Sequence, residues 1–444
     1  MKFSLLLFLA LLTVGSVSGQ HWTQFRGQDQ TGIIEGFKIP TEWNLEDNLK
    51  WTIPSPAMGW SSPIVWGDQI FITGSSLLTE EMKKRNRGGG EYRTPLGIHV
   101  KLEVICLDKE TGAIEWRKTA YEGPSKVATH GGSPYSTETP VTDGVHVYAY
   151  FGTMGLHAFT LDGELVWQKD LGVFEMDGEW GTGTSPMIHE GVLFMQVDNL
   201  DFSSLIALEA LSGKEKWKVN RDEGPNRGTP MIWRNRLRSE LVTQGAIARS
   251  YNPENGELYW QINMAGGRSS STAVGEQDRL IIANEKRGAG GFMFSIRAGA
   301  SGDISLAEGQ TSNDGVEWKN PNGGIAMSSP LIYEGCVYAF ERRTGMVSCY
   351  DAKTGDVNYY RKHLKKAREF WSTPWAYEGH IYCIDGNGIT HVLESGPILN
   401  EVRLNELDDK IWAMPAFTPG SLILRGAENL YSIESKDSDS LLSN

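Results

Sequence analysis

Four cysteines, a histidine beside a glycine pair, an Asp-Gly-Asn-Gly stretch and two basic loops are where this sequence could hold chemistry. Cys106, Cys336, Cys349 and Cys383 share no C-x-x-C or comparable metal-ligand spacing, and each lies in a strand-like run. They read as small buried hydrophobes. A disulfide among Cys336, Cys349 and Cys383 stays open, because an exported chain permits one. His130, in "ATHGGSPYSTETP", has no nameable co-ligand and makes no metal site by itself. Asp385–Gly388 has a calcium-like composition, but it joins "HIYCI" to "ITHVL", so a hairpin turn accounts for it. No G-x-S-x-G, H-E-x-x-H or P-loop pattern occurs. The residues supply neither a catalytic set nor a metal-ligand set. The basic loops are "KKRNRGGGEYR", opening with Lys83, Lys84 and Arg85, and "RKHLKKAR", which contains Lys365, Lys366 and Arg368. On a chain of formal charge −13 they predict one electropositive sector for an acidic partner, a protein surface or an anionic polysaccharide. The same acidic balance excludes general nucleic-acid binding.

The opening "MKFSLLLFLALLTVGSVSGQ" reads as a signal peptide. Lys2 is its basic region, Phe3 to Val14 its apolar run, and the cut falls near Gly19. That run is too short for the roughly 20 residues that span a bilayer, and no other transmembrane candidate follows. No cysteine stands directly after it, so a lipid anchor is not expected. The expectation is a soluble periplasmic or secreted protein.

What positions these residues is a repeat. "LDKETGAIEW" recurs as "LEALSGKEKW", "YNPENGELYW" and "YDAKTGDVNYY", with shorter copies ending at Trp167 and Trp318. Each reads as a strand, a turn closed by an Asp or Asn side chain and a glycine (Gly112, Gly213, Gly256, Gly355), and a strand carrying an aromatic. A partner hairpin such as "SSPIVWGDQIFITG" precedes each copy. Its marker falls at Pro63, Pro140, Pro186, Pro230, Thr272, Pro330, Pro374 and Pro415. Eight units of two hairpins predict eight four-stranded antiparallel sheets, none able to bury both faces alone. The last unit lacks its final strand, and "LKWTIP" from Leu49 carries an aromatic, Trp51, with no partners before it. The N-terminal strand therefore completes the eighth sheet and removes a free edge. The boundaries are a leader at 1–19, a docking segment at 20–48, the repeat domain at 49–434 and a polar, disordered tail at 435–444.

These motifs, from about Trp22 to Glu434, resemble the quinoprotein-like, or PQQ-repeat, β-propellers. That superfamily includes the outer-membrane-assembly propeller lipoproteins and the quinoprotein alcohol dehydrogenases. "HWTQFRGQDQTGI" is similar to the opening of a group of exported bacterial proteins with this repeat. The resemblance implies an all-β, eight-bladed propeller. The dehydrogenases carry an adjacent Cys-Cys pair and a quinone with calcium or a lanthanide. This chain has no adjacent cysteines and no assignable metal set, so no cofactor is predicted; PQQ with calcium stays open without site residues to support it. The expected role is non-catalytic binding or scaffolding in the cell envelope. The alternatives are a PQQ-dependent oxidoreductase and a polysaccharide-binding or polysaccharide-active propeller.

In such a ring the residues just before each first strand stand at one mouth of the central channel. Here they are Trp60, His130, Trp180, Arg227, Arg268, Trp371 and Trp412. Flat aromatics and planar guanidinium groups make a binding-type collection. Trp22, Phe25 and Arg26 precede the closing strand and are expected to anchor the N-terminal segment on the propeller's outside or in its mouth, Arg26 being most open to a second role. Oligomeric state is not legible.

Overall fold

The computed structural model describes residues 21–77, 93–265, 270–285, 291–325 and 327–435. The leader, the tail beyond Ser435, Lys83, Lys84, Arg85 and Arg268 lie outside the described residues. The described residues form an eight-bladed β-propeller. Blade one runs Ile64–Trp66, Gln69–Leu77, His99–Asp108 and Ile114–Pro124. Blades two to seven open with Val141–Thr142, Met187–His189, Met231–Arg234, Val274–Gly275, Leu331–Tyr333 and Trp375–Tyr377, each strand pairing antiparallel with the next. Blade eight is Ala416–Thr418, Ser421–Arg425, Asn429–Glu434 and, on its outer edge, Leu49–Pro54. The two ends of the chain thus close the ring inside one sheet. No helix among the described residues is long and apolar enough to cross a membrane.

The recurrent tryptophan has one job. Trp51, Trp116, Trp167, Trp217 and Trp318 each donate the indole N–H to a carbonyl in the next blade's turn: Lys109, Leu161, Ala210, Pro253 and Ala352, at 2.8–3.1 Å. The same rings lie against the turn glycines. At Gly213, whose φ is +67°, an added Cβ would sit 2.8 Å from Trp167. Glycine is therefore required twice, by the left-handed backbone and by the indole above it. Where the next blade lacks this turn, the pattern changes. Trp260 bonds Glu240 of its own blade at 2.7 Å, and the insertion after blade five's third strand lays Gly302–Asp303 parallel along its outer strand. In blade seven the position is Arg403, which donates to Thr41 of the N-terminal segment at 3.3 Å.

A belt of hydroxyls ties the inner strands together. The backbone N–H of Ser62 donates to Thr139 Oγ1, Thr139 to Ser185, Ser185 to Thr229, Thr229 to Thr272 and Thr272 to Ser329. Thr373 Oγ1 reaches Ser329 Oγ, and Met414 N–H returns to Ser62 Oγ at 3.0 Å. These N–H groups sit buried just before the first strands, where no ladder partner exists, and the neighbouring hydroxyl satisfies them. The belt corrects one alignment. Thr272 occupies the hydroxyl position, and Ala273, one residue later, stands where other blades carry proline.

The N-terminal segment does not dock on the outside of the ring. It fills the channel toward the turns between first and second strands. Trp22 exchanges both backbone hydrogen bonds with Val65, and Thr142 N–H donates to Thr23 O. Gln24 Oε1 accepts from Ile188 N–H, and the Gln30 amide bonds both Ile232 N–H and Pro230 O. Arg26 donates to Ala273 O and Pro330 O, and Ala376 exchanges bonds with Gly32 and Ile34. Trp22 packs edge-on to Phe417 at 4.9 Å. One short segment therefore touches the first strand region of all eight blades and caps inner edges that would otherwise be buried without partners.

Candidate functional site

At the opposite end, six of the seven expected mouth residues form an arc. Trp412 stacks on Trp60 at 4.2 Å and on Trp371 at 4.5 Å, placing it between the two. Trp371 carries the Arg342 guanidinium 5.4 Å from its ring centre, and Lys410 lies 5.7 Å from that of Trp412. Beyond Trp60, whose indole N–H bonds Gly132 O at 2.9 Å, His130 stacks on Trp180 at 3.9 Å. His130 is held there by the two-residue pairing of Thr129–His130 with Arg93–Thr94. Arg227 follows, bonded to Gly181 O and ion-paired with Asp177 at 3.0 Å. The arc thus runs over blades six, seven, eight, one, two, three and four.

Pairwise packing consumes most of the aromatic faces. Trp412 has a neighbour on each side, and Trp371 has Trp412 and Arg342. What remains is a rim of edges and cations, with Trp180 the most open member at 45% exposed. Trp371 Nε1, Trp412 Nε1 and Arg342 Nε are buried donors with no acceptor. Burial lowers the Arg342 pKa, partly offset by Glu285 and Glu369.

Two charged groups below the rim were not anticipated. Glu138 is buried, bonded by Thr182 Oγ1, and burial pushes its pKa up to about 7. Arg425 donates to Ser61 O at 3.3 Å and Thr73 O at 2.8 Å with no carboxylate among its partners, and burial pushes its pKa down to about 9. Arg425, at the end of a second strand, occupies no pre-strand position that would flag it in sequence. Glu138 could have been found as the acidic residue in a row otherwise filled by Ser61, Thr184, Gly228, Ser271, Ser328, Ser372 and Ala413.

The second basic loop is partly neutralised. Lys366 pairs with Glu406 at 2.7 Å, Arg361 with Glu341 at 2.8 Å, and Lys365 N–H bonds Glu401. Lys365 and Arg368 side chains are exposed. Asp385 closes a turn, accepting from the N–H groups of Asn387 and Ile389. The four cysteines are buried and free.

Fold and repeat together define an eight-bladed propeller of the PQQ-repeat class. The family model described as outer membrane protein assembly factor BamB matches residues 153–395, more than half of the chain, and the protein belongs to that family. Among solved structures, BamB from Moraxella catarrhalis is similar at a TM-score of 0.52 and 12% identity, covering 81% of this chain and 98% of that one. Quinohemoprotein alcohol dehydrogenase ADHIIG from Pseudomonas putida HK5 is similar at a TM-score of 0.60 and 11% identity, covering 94% and 80%. The quinohemoprotein alcohol dehydrogenase from Comamonas testosteroni gives 0.56 and 10%, covering 93% and 80%. Such identities speak for the fold alone. No curated protein sequence matches the chain at a significant level.

The central tryptophan stack presents no free ring face to a planar quinone such as that of the structurally similar dehydrogenases. A planar cofactor needs a free aromatic face, and Trp412 and Trp371 offer theirs to each other, Trp60 and Arg342. Among the described residues no cluster of three or more His, Cys, Asp or Glu is placed to hold a metal ion.

Proposed function

We propose that this protein is a non-catalytic binding propeller of the cell envelope, periplasmic or secreted, that engages the surface of a partner protein at its mouth rim. One observation carries the reading: the Trp60–Trp412–Trp371 stack, bordered by Arg342 and Lys410, is a rigid surface rather than an open slot. Tryptophan and arginine in fixed, pre-packed positions are what protein interfaces use as anchors. Lys365 and Arg368 extend the same face with positive charge, favouring an acidic partner. Family membership supports an envelope setting. An anionic polysaccharide is the second reading, favoured by Trp180, which is 45% exposed and has His130 on one face.

The test has two arms. Titration of the mature protein with PQQ, with and without calcium, is expected to leave tryptophan fluorescence and calorimetric heat unchanged; saturable calcium-dependent binding would overturn the reading. Immobilised protein is then compared with its Trp412→Ala variant for retention of envelope proteins and of an acidic glycan. Loss of protein retention supports the proposal. Equal protein retention by both forms sinks it, and rim-dependent retention of the glycan alone transfers the site to polysaccharide.

A further inference from the structure

Cys336 opens the second strand of blade six and Cys349 lies in the third. Cys336 faces Asp351 across the ladder and Cys349 faces Tyr338, so the two cysteines are diagonal neighbours on one face of the blade. Asn358, on the outer strand, places its side-chain nitrogen 3.7 Å from Cys336 Sγ and 3.5 Å from Cys349 Sγ and donates to both. The remaining cysteines differ. Cys383 Sγ faces the Ser372 carbonyl at 3.8 Å, and Cys106 Sγ lies 3.3 Å from the Glu115 carboxylate. Burial raises the pKa of both those thiols, whereas the neighbouring Cys349 thiol lowers that of Cys336 to about 7. Cys336 also lies beside the surface turn at Glu334–Gly335 and is 5% exposed, against 0% for the other three. Of the four buried thiols, the one with the lowered pKa is also the one nearest the surface, and these are the two properties on which attack depends.

We propose that Cys336 and Cys349 form a thiol–disulfide exchange pair that closes to a disulfide across the second and third strands of blade six. The oxidant is a low-molecular-weight disulfide. The Cys336 thiolate attacks one of its sulfurs, the S–S bond breaks, and one thiol leaves after taking up a proton. Cys349, giving its proton to solvent, then attacks the Cys336 sulfur of the mixed disulfide and expels the second thiol. Two cysteine thiols are oxidised, one disulfide molecule is reduced to two thiols, and the two protons lost from the cysteines are balanced by the two gained by the released thiols.

The experiment treats the folded, full mature chain with oxidised glutathione in native buffer, quenches with acid, and counts thiols after denaturation. Titratable thiols are expected to fall from the four of the untreated chain by two, with a peptide pair joining Cys336 to Cys349 and full recovery on reduction by dithiothreitol. Cys106→Ser and Cys383→Ser proteins are expected to form the same link. Retention of all thiols overturns the proposal, as does a link through Cys383 or a stable glutathione adduct on Cys336 without closure. The wild-type peptide map decides the matter even if a variant misfolds.

Discussion

The Arg26 guanidinium donates to Pro330 O at 2.9 Å, joining the N-terminal segment to blade six across some 300 residues of chain. The same side chain reaches Ala273 O in blade five at 3.3 Å and Thr31 O at 2.9 Å, and it is 1% exposed. Its hydrogen-bond partners are carbonyl dipoles, with no carboxylate among them. Burial holds its pKa down at about 9, so the group stays charged at neutral pH.

Replacing Arg26 by leucine therefore leaves two buried carbonyls and one half-buried carbonyl without their donor. A loss of about 2–4 kcal/mol is expected, read as a lower urea midpoint with an unchanged slope. Arg26→Lys recovers little of it, because one ammonium lacks the planar fork that bridges two blades. A lysine variant as stable as wild type would show that charge alone is what the channel needs.

The turn glycines offer a paired comparison. Gly213 and Gly191 both have positive φ, +67° and +73°, but a Cβ at Gly213 meets Trp167 at 2.8 Å whereas at Gly191 nothing lies within 4 Å. Gly191→Ala is expected to cost about 1 kcal/mol of backbone strain. Gly213→Ala adds displacement of an indole and is expected to cost about 3 kcal/mol. Equal costs in thermal or chemical unfolding would refute the docking role of the tryptophan.

Glu138 makes stability pH-dependent. Its folded pKa, about 7, lies above the ordinary carboxylate value of 4.5, so the folded state binds the proton more tightly. The stability it contributes is present below pH 4.5 and is lost as pH rises toward 7, by about 3 kcal/mol at 1.36 kcal/mol per unit. Glu138→Gln is expected to flatten the unfolding profile over that window and to exceed wild type at pH 8. A parallel pair of profiles would rule this out.

His391 titrates with the same sign through a different cause. Burial alone would lower its pKa, but the Asp385 carboxylate at 4.0 Å and the Glu401 carboxylate at 2.7 Å outweigh it and raise the value. Its contribution is complete below about pH 6.5 and fades as pH climbs through the folded pKa. The gap in urea midpoint between wild type and His391→Gln should therefore shrink above that point; a gap constant from pH 5.5 to 8.5 would contradict the assignment.

Much of this architecture was legible because each blade repeats local chemistry. Gly112, Gly213 and Gly355 announce their turns, and Trp51 reveals where the missing strand lies. The hydroxyl belt was also written in the sequence, as the Ser or Thr before every marker proline except Pro415, but it reads as turn punctuation until the blades are placed side by side. Blade five shows the limit. Without its proline, Thr272 reads as the marker position, and its bonds from Thr229 N–H and to Ser329 Oγ fix the register. The path of Gln24, Arg26 and Gln30 was not legible at all. Their partners are backbone groups spread over several blades, and backbone groups leave no residue-specific trace. At the mouth, the residue types were visible, whereas their stacking against one another was a matter of distances.

The N-terminal segment has a consequence for how this chain can evolve. In a ring of repeated blades most interfaces are alike, because each blade meets an equivalent neighbour. Here Trp22, Thr23, Gln24, Arg26, Gln30 and Gly32 are matched to particular blades at fixed angular positions. A seven- or nine-membered ring would leave some of these side chains facing the wrong edge. The segment works as a tally that fixes the number of repeats, and a lineage carrying it can change its loops freely but not its blade count.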